Sequence, residues 1–236
     1  MNTFIDKLKD KALDLGATKI GFSDIESIVP KEFSHLKYGI TVMVRLSDEI
    51  VNQIETMPTF TYFHHYRDIN TLIDQICLRL SLMIQEQGFL AMNVPASQTI
   101  TDAKQEKYRA IFSHKVAAIY SGLGWIGKNG LLITEDFGPR VRLGTILTNL
   151  PIKSEKWDVG IEKIESKCGN CRLCVNSCPA KVIKGENWTI NSMRDDLLDV
   201  DKCAKHMRTA YKDIGRGSVC GLCIKACPKG AKLISG

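Results

Sequence analysis

Cysteine spacing is the first chemistry this 236-residue chain displays. Eight of its nine cysteines lie after residue 167 and fall into two sets. The first reads CGNCRLCVNSCP, from Cys168 to Pro179, with Cys168, Cys171, Cys174 and Cys178 separated by two, two and three residues. That spacing suits a cubane iron–sulfur cluster: three thiolates of one tight loop reach three irons, and the fourth serves a neighbouring cluster. Gly169 and Asn170 let the backbone curl close enough for amide N–H groups to face sulfur. Pro179, which has no N–H, turns the chain out. The second set reads CGLCIKACP, with Cys220, Cys223 and Cys227 before Pro228. Its matching first cysteine would stand at 217, which is Gly217; Cys203, seventeen residues before Cys220, is the available substitute.

The two-cluster ferredoxin pattern crosses the fourth cysteine of each run. It assigns Cys168, Cys171, Cys174 and Cys227 to one 4Fe-4S cluster, and Cys178, Cys203, Cys220 and Cys223 to the other. Zinc competes for Cys-x-x-Cys pairs, but two Cys-Pro endings and eight ligands in this order favour clusters. Such a module carries single electrons at low potential. By itself it is a wire, and the residues before it must hold what it serves. The ninth cysteine, Cys77, sits in a helical pattern and reads as a small buried apolar residue.

The elements that position these thiols follow from periodicity. Residues 3–15 and 61–87 carry apolar positions at helical spacing, each ended by a glycine. Residues 48–57 and 114–122 read as shorter helices. Residues 19–24, 39–46 and 89–95 read as strands. Two more, 131–136 and 141–148, are joined by the turn Phe137–Gly138–Pro139. Residues 150–167 form a charged connector. Helices and strands mix without a regular βαβ repeat, which predicts an α+β fold. The expected division is an α+β domain over 1–150 and a ferredoxin-like two-cluster domain over 151–236.

Composition is that of an ordinary globular protein, with 44% hydrophobic and 25% charged residues. The formal net charge is +6, and two oxidised clusters at about −2 each would bring it to roughly +2. Nucleic-acid binding does not follow from that balance, and no Lys/Arg stripe with interleaved aromatics stands out. No apolar run approaches the roughly 18 residues of a membrane helix. The N-terminal stretch has no apolar signal region, so the expected location is cytoplasmic, with no membrane partner.

Residues 122–130, GLGWIGKNG, match the dinucleotide fingerprint letter for letter and approach the phosphate loop. Both motifs need a strand before the glycines and a helix after them; here the order is helix, then strand. Two readings remain. One is a close-packed turn, the other a close backbone approach to a large flat cofactor.

GLGWIGKNGLLIT, then GPRVRLGTILT, then a two-cluster module with a remote cysteine, resembles the epoxyqueuosine reductase family. Those enzymes are cobalamin-dependent iron–sulfur proteins related in core to reductive dehalogenases. The likeness is densest over about residues 108–236. It implies a nitroreductase-like mixed sheet with flanking helices, holding cobalamin base-off, without a histidine below the cobalt. The absence of an Asp-x-His-x-x-Gly corrinoid motif agrees with that. Two departures stand out. The family continues into a helical-repeat domain that helps hold tRNA, whereas this chain stops nine residues after Cys227, as a short member would. Where the family has a proton-donating aspartate before Ser-Ala-Pro, counting back from the turn reaches Tyr108. Both point away from tRNA and toward a small-molecule substrate.

The resemblance implies Tyr108 as general acid, with a packing tyrosine as the alternative. It places Ser113, His114 and Lys115 against corrinoid amide groups, unless they only cap the next helix. Gly124, Trp125, Gly127, Lys128 and Asn129 would line the cofactor. Arg140 and Arg142 read as solvated charge, and His64 and His65 as no ligands. Electrons would come from a ferredoxin or flavodoxin. Two other readings stay open: an electron-transfer protein whose N-terminal domain docks a partner, and a flavin in place of cobalamin.

Overall fold

A computed structural model describes residues 2–97, 108, 110–152 and 164–230. The connector expected over 150–167 falls largely outside them. Contacts divide the chain into two compact units. One is Met1–Arg45, Ile69–Leu123 and Arg142–Gly160; the other is Leu46–Asp68, Gly124–Val141 and Ile161–Gly236. This is not the single cut at residue 150 that the sequence suggested, because two upstream segments pack with the cysteine module.

The first unit is built on a sheet of order β1-β2-β6-β3, with β1 Lys19–Asp24, β2 Tyr38–Arg45, β3 Ala91–Val94 and β6 Val141–Thr148. The β1–β2 and β3–β6 pairings are antiparallel, with Lys19 opposite Met43 and Ala91 opposite Thr148. β2 reads YGITVMVR and is buried on both faces, which is why it is a continuous β-branched and apolar run rather than an alternating one. Helices α1 (Asn2–Asp14), α3 (Phe60–Glu86, from Ile69 onward) and α4 (His114–Tyr120) belong to this unit. Leu8, Ile20, Phe22, Ile40, Val42, Ile73, Ile76, Leu80 and Ile146 form its core. Each fully buried aliphatic side chain there contributes about 1.5–3 kcal/mol. A Cβ at Gly144 would lie 2.4 Å from Ile73 Cγ2 and 2.9 Å from Cys77 Sγ. Glycine at that point lets α3 lie directly on β6. Cys77 is 1% exposed, and burial pushes its thiol up to about 12.

The second unit contains α2 (Asp48–Asn52), the start of α3, the hairpin strands β4 (Trp125–Ile126) and β5 (Leu132–Ile133), and the cysteine module. The module carries α5 (Leu173–Asn176), α6 (Arg194–Leu197), α7 (Val200–Ala210) and α8 (Leu222–Lys225). The sequence suggested that residues 131–136 and 141–148 pair across Phe137–Pro139. Instead β5 pairs back with β4, inside the glycine stretch, and β6 joins the four-stranded sheet. The Gly127 and Gly130 amides close that turn onto Leu131 and Gly127 carbonyls at 2.9 and 2.8 Å. Among the described residues, no helix is long and apolar enough to cross a membrane.

Candidate metal centre

All nine cysteines are free thiols. Eight of them lie in the second unit. Cys174 and Cys227 each feel Cys168 and Cys171. Cys203 feels Cys220 and Cys178, and Cys223 feels Cys220, Cys203, Cys174 and Cys178, so the two runs lie together. Among the described residues, no three His, Cys, Asp or Glu converge tightly enough for a single metal ion.

Main-chain amides also act on three of the thiols: those of Leu222, Lys229 and Val175 oppose the upward push of burial at Cys220, Cys227 and Cys174. Such N–H groups stabilise sulfur that carries negative charge. Cys178, Val182 and Ile183 form an apolar wall against which Cys174, Cys203 and Cys223 pack. Burial in these surroundings, aided by neighbouring thiols, pushes Cys203 and Cys227 up to about 11 and Cys223 higher still. Desolvated sulfur of this kind becomes thiolate only against a positive charge such as bound iron.

The module is seated on upstream segments of its own unit. Asn129 donates from Nδ2 to the Cys223 carbonyl at 3.4 Å, and its Oδ1 accepts the Leu131 amide at 3.2 Å. A Cβ at Gly130 would lie 2.5 Å from Leu198 Cδ2, and one at Gly138 only 1.9 Å from the Lys229 carbonyl oxygen. A Cβ at Gly124 would strike the Ile133 carbonyl oxygen, and one at Gly127 the Ile133 side chain. These glycines are thus spent on packing the hairpin within its own unit. Trp125 is 2% exposed, and its indole Nε1 is buried with no hydrogen-bond partner. Lys167 and Lys229 place their ammonium groups 5.2 and 5.9 Å from its ring centroid. Lys128 is also buried.

Arg140 corrects the sequence reading. It is buried, not solvated, and its Nη1 donates to Asp48 Oδ1 at 2.8 Å and Asn52 Oδ1 at 3.0 Å. Lys225 of α8 donates to the same Asn52 oxygen at 3.2 Å, tying the last cysteine run to α2. His65 Nε2 accepts the Ser47 amide at 2.9 Å, a structural role, and burial lowers its pKa.

The remaining candidates belong to the first unit. Ser113 is exposed at the N-cap of α4 and makes no side-chain cap bond. Both His114 ring nitrogens are engaged, Nδ1 with Thr145 Oγ1 at 2.9 Å and Nε2 with the Pro95 carbonyl at 3.0 Å. Burial, opposed by the Pro95 bond, lowers its pKa to about 4. The neutral ring therefore donates from Nε2 and accepts from Thr145. Lys115 is half-buried. Tyr108 has φ +60°, a left-handed conformation costing a tyrosine about 1–2 kcal/mol. Arg142 is held inside the unit by Asn70 Oδ1 at 2.9 Å and the Ala96 carbonyl at 3.2 Å.

Sequence reasoning missed one residue beside the thiols. Tyr211 is 6% exposed and lies within electrostatic range of Cys220. Burial first, then the nearby Cys220, raises its phenol to about 12. The available hint was the seventeen-residue interval between Cys203 and Cys220, which has to be filled by something.

Residues 167–230 match the 4Fe-4S double cluster binding domain. The chain is 30% identical over 143 residues to the epoxyqueuosine reductase of Synechocystis, covering 58% of this chain and 47% of that protein. It is 32% identical over 120 residues to the tetrachloroethene reductive dehalogenase of Sulfurospirillum multivorans, covering 47% of this chain and 22% of that protein. It thus spans less than half the length of either relative. A solved reductive dehalogenase, described with a mechanism for B12-dependent dehalogenation, superposes with TM-score 0.69 at 20% identity, over 94% of this chain and 31% of its own. At that identity the likeness speaks for the fold.

Proposed function

We propose, from its likeness to epoxyqueuosine reductase and to the 4Fe-4S double cluster binding domain, that this chain is a reductase that passes electrons singly from two 4Fe-4S clusters to a bound corrinoid. The observation that carries the reading is the set of eight thiols within residues 167–230, which match the double cluster domain and are seated on the GLGWIGKNG hairpin through Asn129. Cys168, Cys171, Cys174 and Cys227 would hold one cluster, and Cys178, Cys203, Cys220 and Cys223 the other.

The corrinoid half rests on the dehalogenase relatives, one of them described as B12-dependent. Three features of this chain fit such a group. The buried Trp125 N–H lacks a partner, the buried Lys128 adjoins it in the hairpin, and His114 has no free ring nitrogen to offer a metal. The last agrees with base-off binding. A corrinoid, when bound, supplies the low-valent metal at which a substrate is reduced. The chain supplies position, shelter from water and a proton. Tyr108, held in a strained conformation, is the proposed donor of that proton. Ser113 and Lys115 are proposed contacts for corrinoid amides. We propose a small-molecule substrate, and a ferredoxin or flavodoxin as electron source.

A second reading is favoured by Gly124, Gly127, Gly130 and Asn129, all of which serve the hairpin's own packing. On that reading the hairpin is only the seat of the clusters, and the protein transfers electrons to a docked partner or a flavin. Anaerobic reconstitution followed by titration with hydroxocobalamin separates the two. Tight binding with a base-off Co(II) EPR spectrum supports the corrinoid. No binding, with uptake of flavin mononucleotide instead, overturns it.

A further inference from the structure

Charge of the two signs is spread unevenly over the second unit. From Ser166 to Gly185 the first cysteine run carries Lys167, Arg172, Lys181 and Lys184 and no carboxylate. In the same unit, α6 and α7 mix Arg194, Lys202 and Lys205 with Asp195, Asp196 and Asp201. Lys167, Arg172 and Lys181 are exposed, and so is Lys229, which follows the second run. Each has a defined place. The Arg172 guanidinium lies against main chain, since a Cβ on Gly185 would come 2.7 Å from its Nη1. Lys181 takes φ +53° in the turn after Pro179, where its amide bonds the Cys178 carbonyl at 3.1 Å. Lys229 reaches the same ground as Lys167. Their ammonium groups share the Trp125 ring, at 5.9 and 5.2 Å from its centroid. The Lys229 carbonyl abuts Gly138, in the turn whose Glu135 pairs with Lys167. Next to Arg172, between the half-buried Cys171 and Cys174, Leu173 is 50% exposed. A lone exposed leucine is ordinary. One beside cysteines and among charges of a single sign has the layout of an interface centre and its polar rim.

We propose that this surface is the port by which electrons enter the protein: the docking site of a small acidic iron–sulfur carrier protein, with Leu173 at its centre and Lys167, Arg172, Lys181 and Lys229 around it. This rests on the reading of Cys168, Cys171, Cys174 and Cys227 as the ligands of one cluster, but not on any corrinoid. Charge selects the partner, because a cationic surface speeds the approach of an acidic protein and repels a basic one. Chemistry narrows it further. A 4Fe-4S cluster takes one electron at a time at low potential, and an iron–sulfur carrier delivers electrons in that way. One electron leaves the carrier's cluster and enters this one; no bond is made or broken and no proton moves. Cations serving only to offset the cluster's own charge would act better from inside, since exposed charge is screened by water and salt.

The test compares wild type, the double variant Arg172→Glu with Lys229→Glu, and a control, Lys205→Glu on α7. All are reconstituted anaerobically, assayed for iron, and mixed in stopped flow with a reduced acidic 2Fe-2S ferredoxin. The expected result is about eight irons in each and full reduction of each by excess dithionite at the end point. Transfer from the ferredoxin should slow about tenfold in the double variant at low salt and less than about twofold in the control. In wild type it should slow about tenfold as salt rises from about 20 to about 300 mM. Arg172→Gln and Lys229→Gln, tested singly, should each slow it about threefold, which decides the matter should the double variant fail to load. Rates that ignore both salt and charge, or that fall equally in the control, would overturn the proposal while leaving the clusters standing. Faster transfer from a reduced flavodoxin, with the same salt dependence, would overturn the choice of an iron–sulfur carrier. Far fewer than about eight irons in wild type would overturn the cluster reading and this proposal together.

Discussion

Gly169 and Gly221 hold the same place in their cysteine runs, directly after the first thiol, and both have positive φ, +52° and +82°. Their surroundings differ. Nothing lies within 4 Å of a Cβ placed on Gly169, whereas one on Gly221 would press within 2.6 Å of Ile54 and 2.9 Å of the Tyr62 ring. The same holds for their neighbours. Asn170, Arg172 and Leu173 are exposed, while Gly221 and Leu222 are buried. Two nearly identical spellings thus make one loop at the surface and one inside. An external carrier can approach the first. The second takes its electrostatic environment from protein dipoles and packing.

The largest effects test whether the two groups are separate. Cys203→Ser and Cys178→Ser should each remove the same EPR signal, and Cys227→Ser and Cys168→Ser the other, each variant losing about four of about eight irons. If Cys227→Ser removes the signal that Cys203→Ser removes, the crossed grouping is wrong. Next come the paired glycines. Gly221→Ala should destabilise the reconstituted protein by about 3 kcal/mol in denaturant unfolding, from strain plus overpacking. Gly169→Ala should cost only about 1 kcal/mol. Equal losses would erase the distinction between buried and surface runs.

A background outside both runs comes from His114. Its folded pKa of about 4 lies below the unfolded value of 6.5. Between those values the unfolded chain binds more protons, so stability is full above pH 6.5 and falls as pH drops toward 4. The loss between pH 7 and pH 5 should be about 2 kcal/mol, and His114→Gln should lack that slope in urea melts. The smallest effect is expected at the surface run. Leu173, 50% exposed, should lose less than about 0.5 kcal/mol on change to alanine.

Where one residue's type and period determined an element, the sequence was easy to read. β2 and α3 announce themselves by apolar runs, and the cysteine sets by spacing. Three features were hidden because their causes lie far along the chain. β4 is two residues between glycines and exists only because Leu132 and Ile133 fold back on it. Arg140 looked solvated because its partners, Asp48 and Asn52, come some ninety residues earlier. Segments 46–68 and 124–141 join the cysteine module through contacts that no local pattern encodes.

The proposed crossed grouping would have a mechanical consequence. With Cys178 of the first run bound beside Cys220, and Cys227 of the second beside Cys168, neither run could be withdrawn without opening both clusters. Iron would then work as an interlock, closing long chain loops that the bare polypeptide would have to close by entropy alone. Oxidative loss of one cluster would slacken the whole second unit, so damage to a redox centre would be felt as partial unfolding and as new sites for proteases.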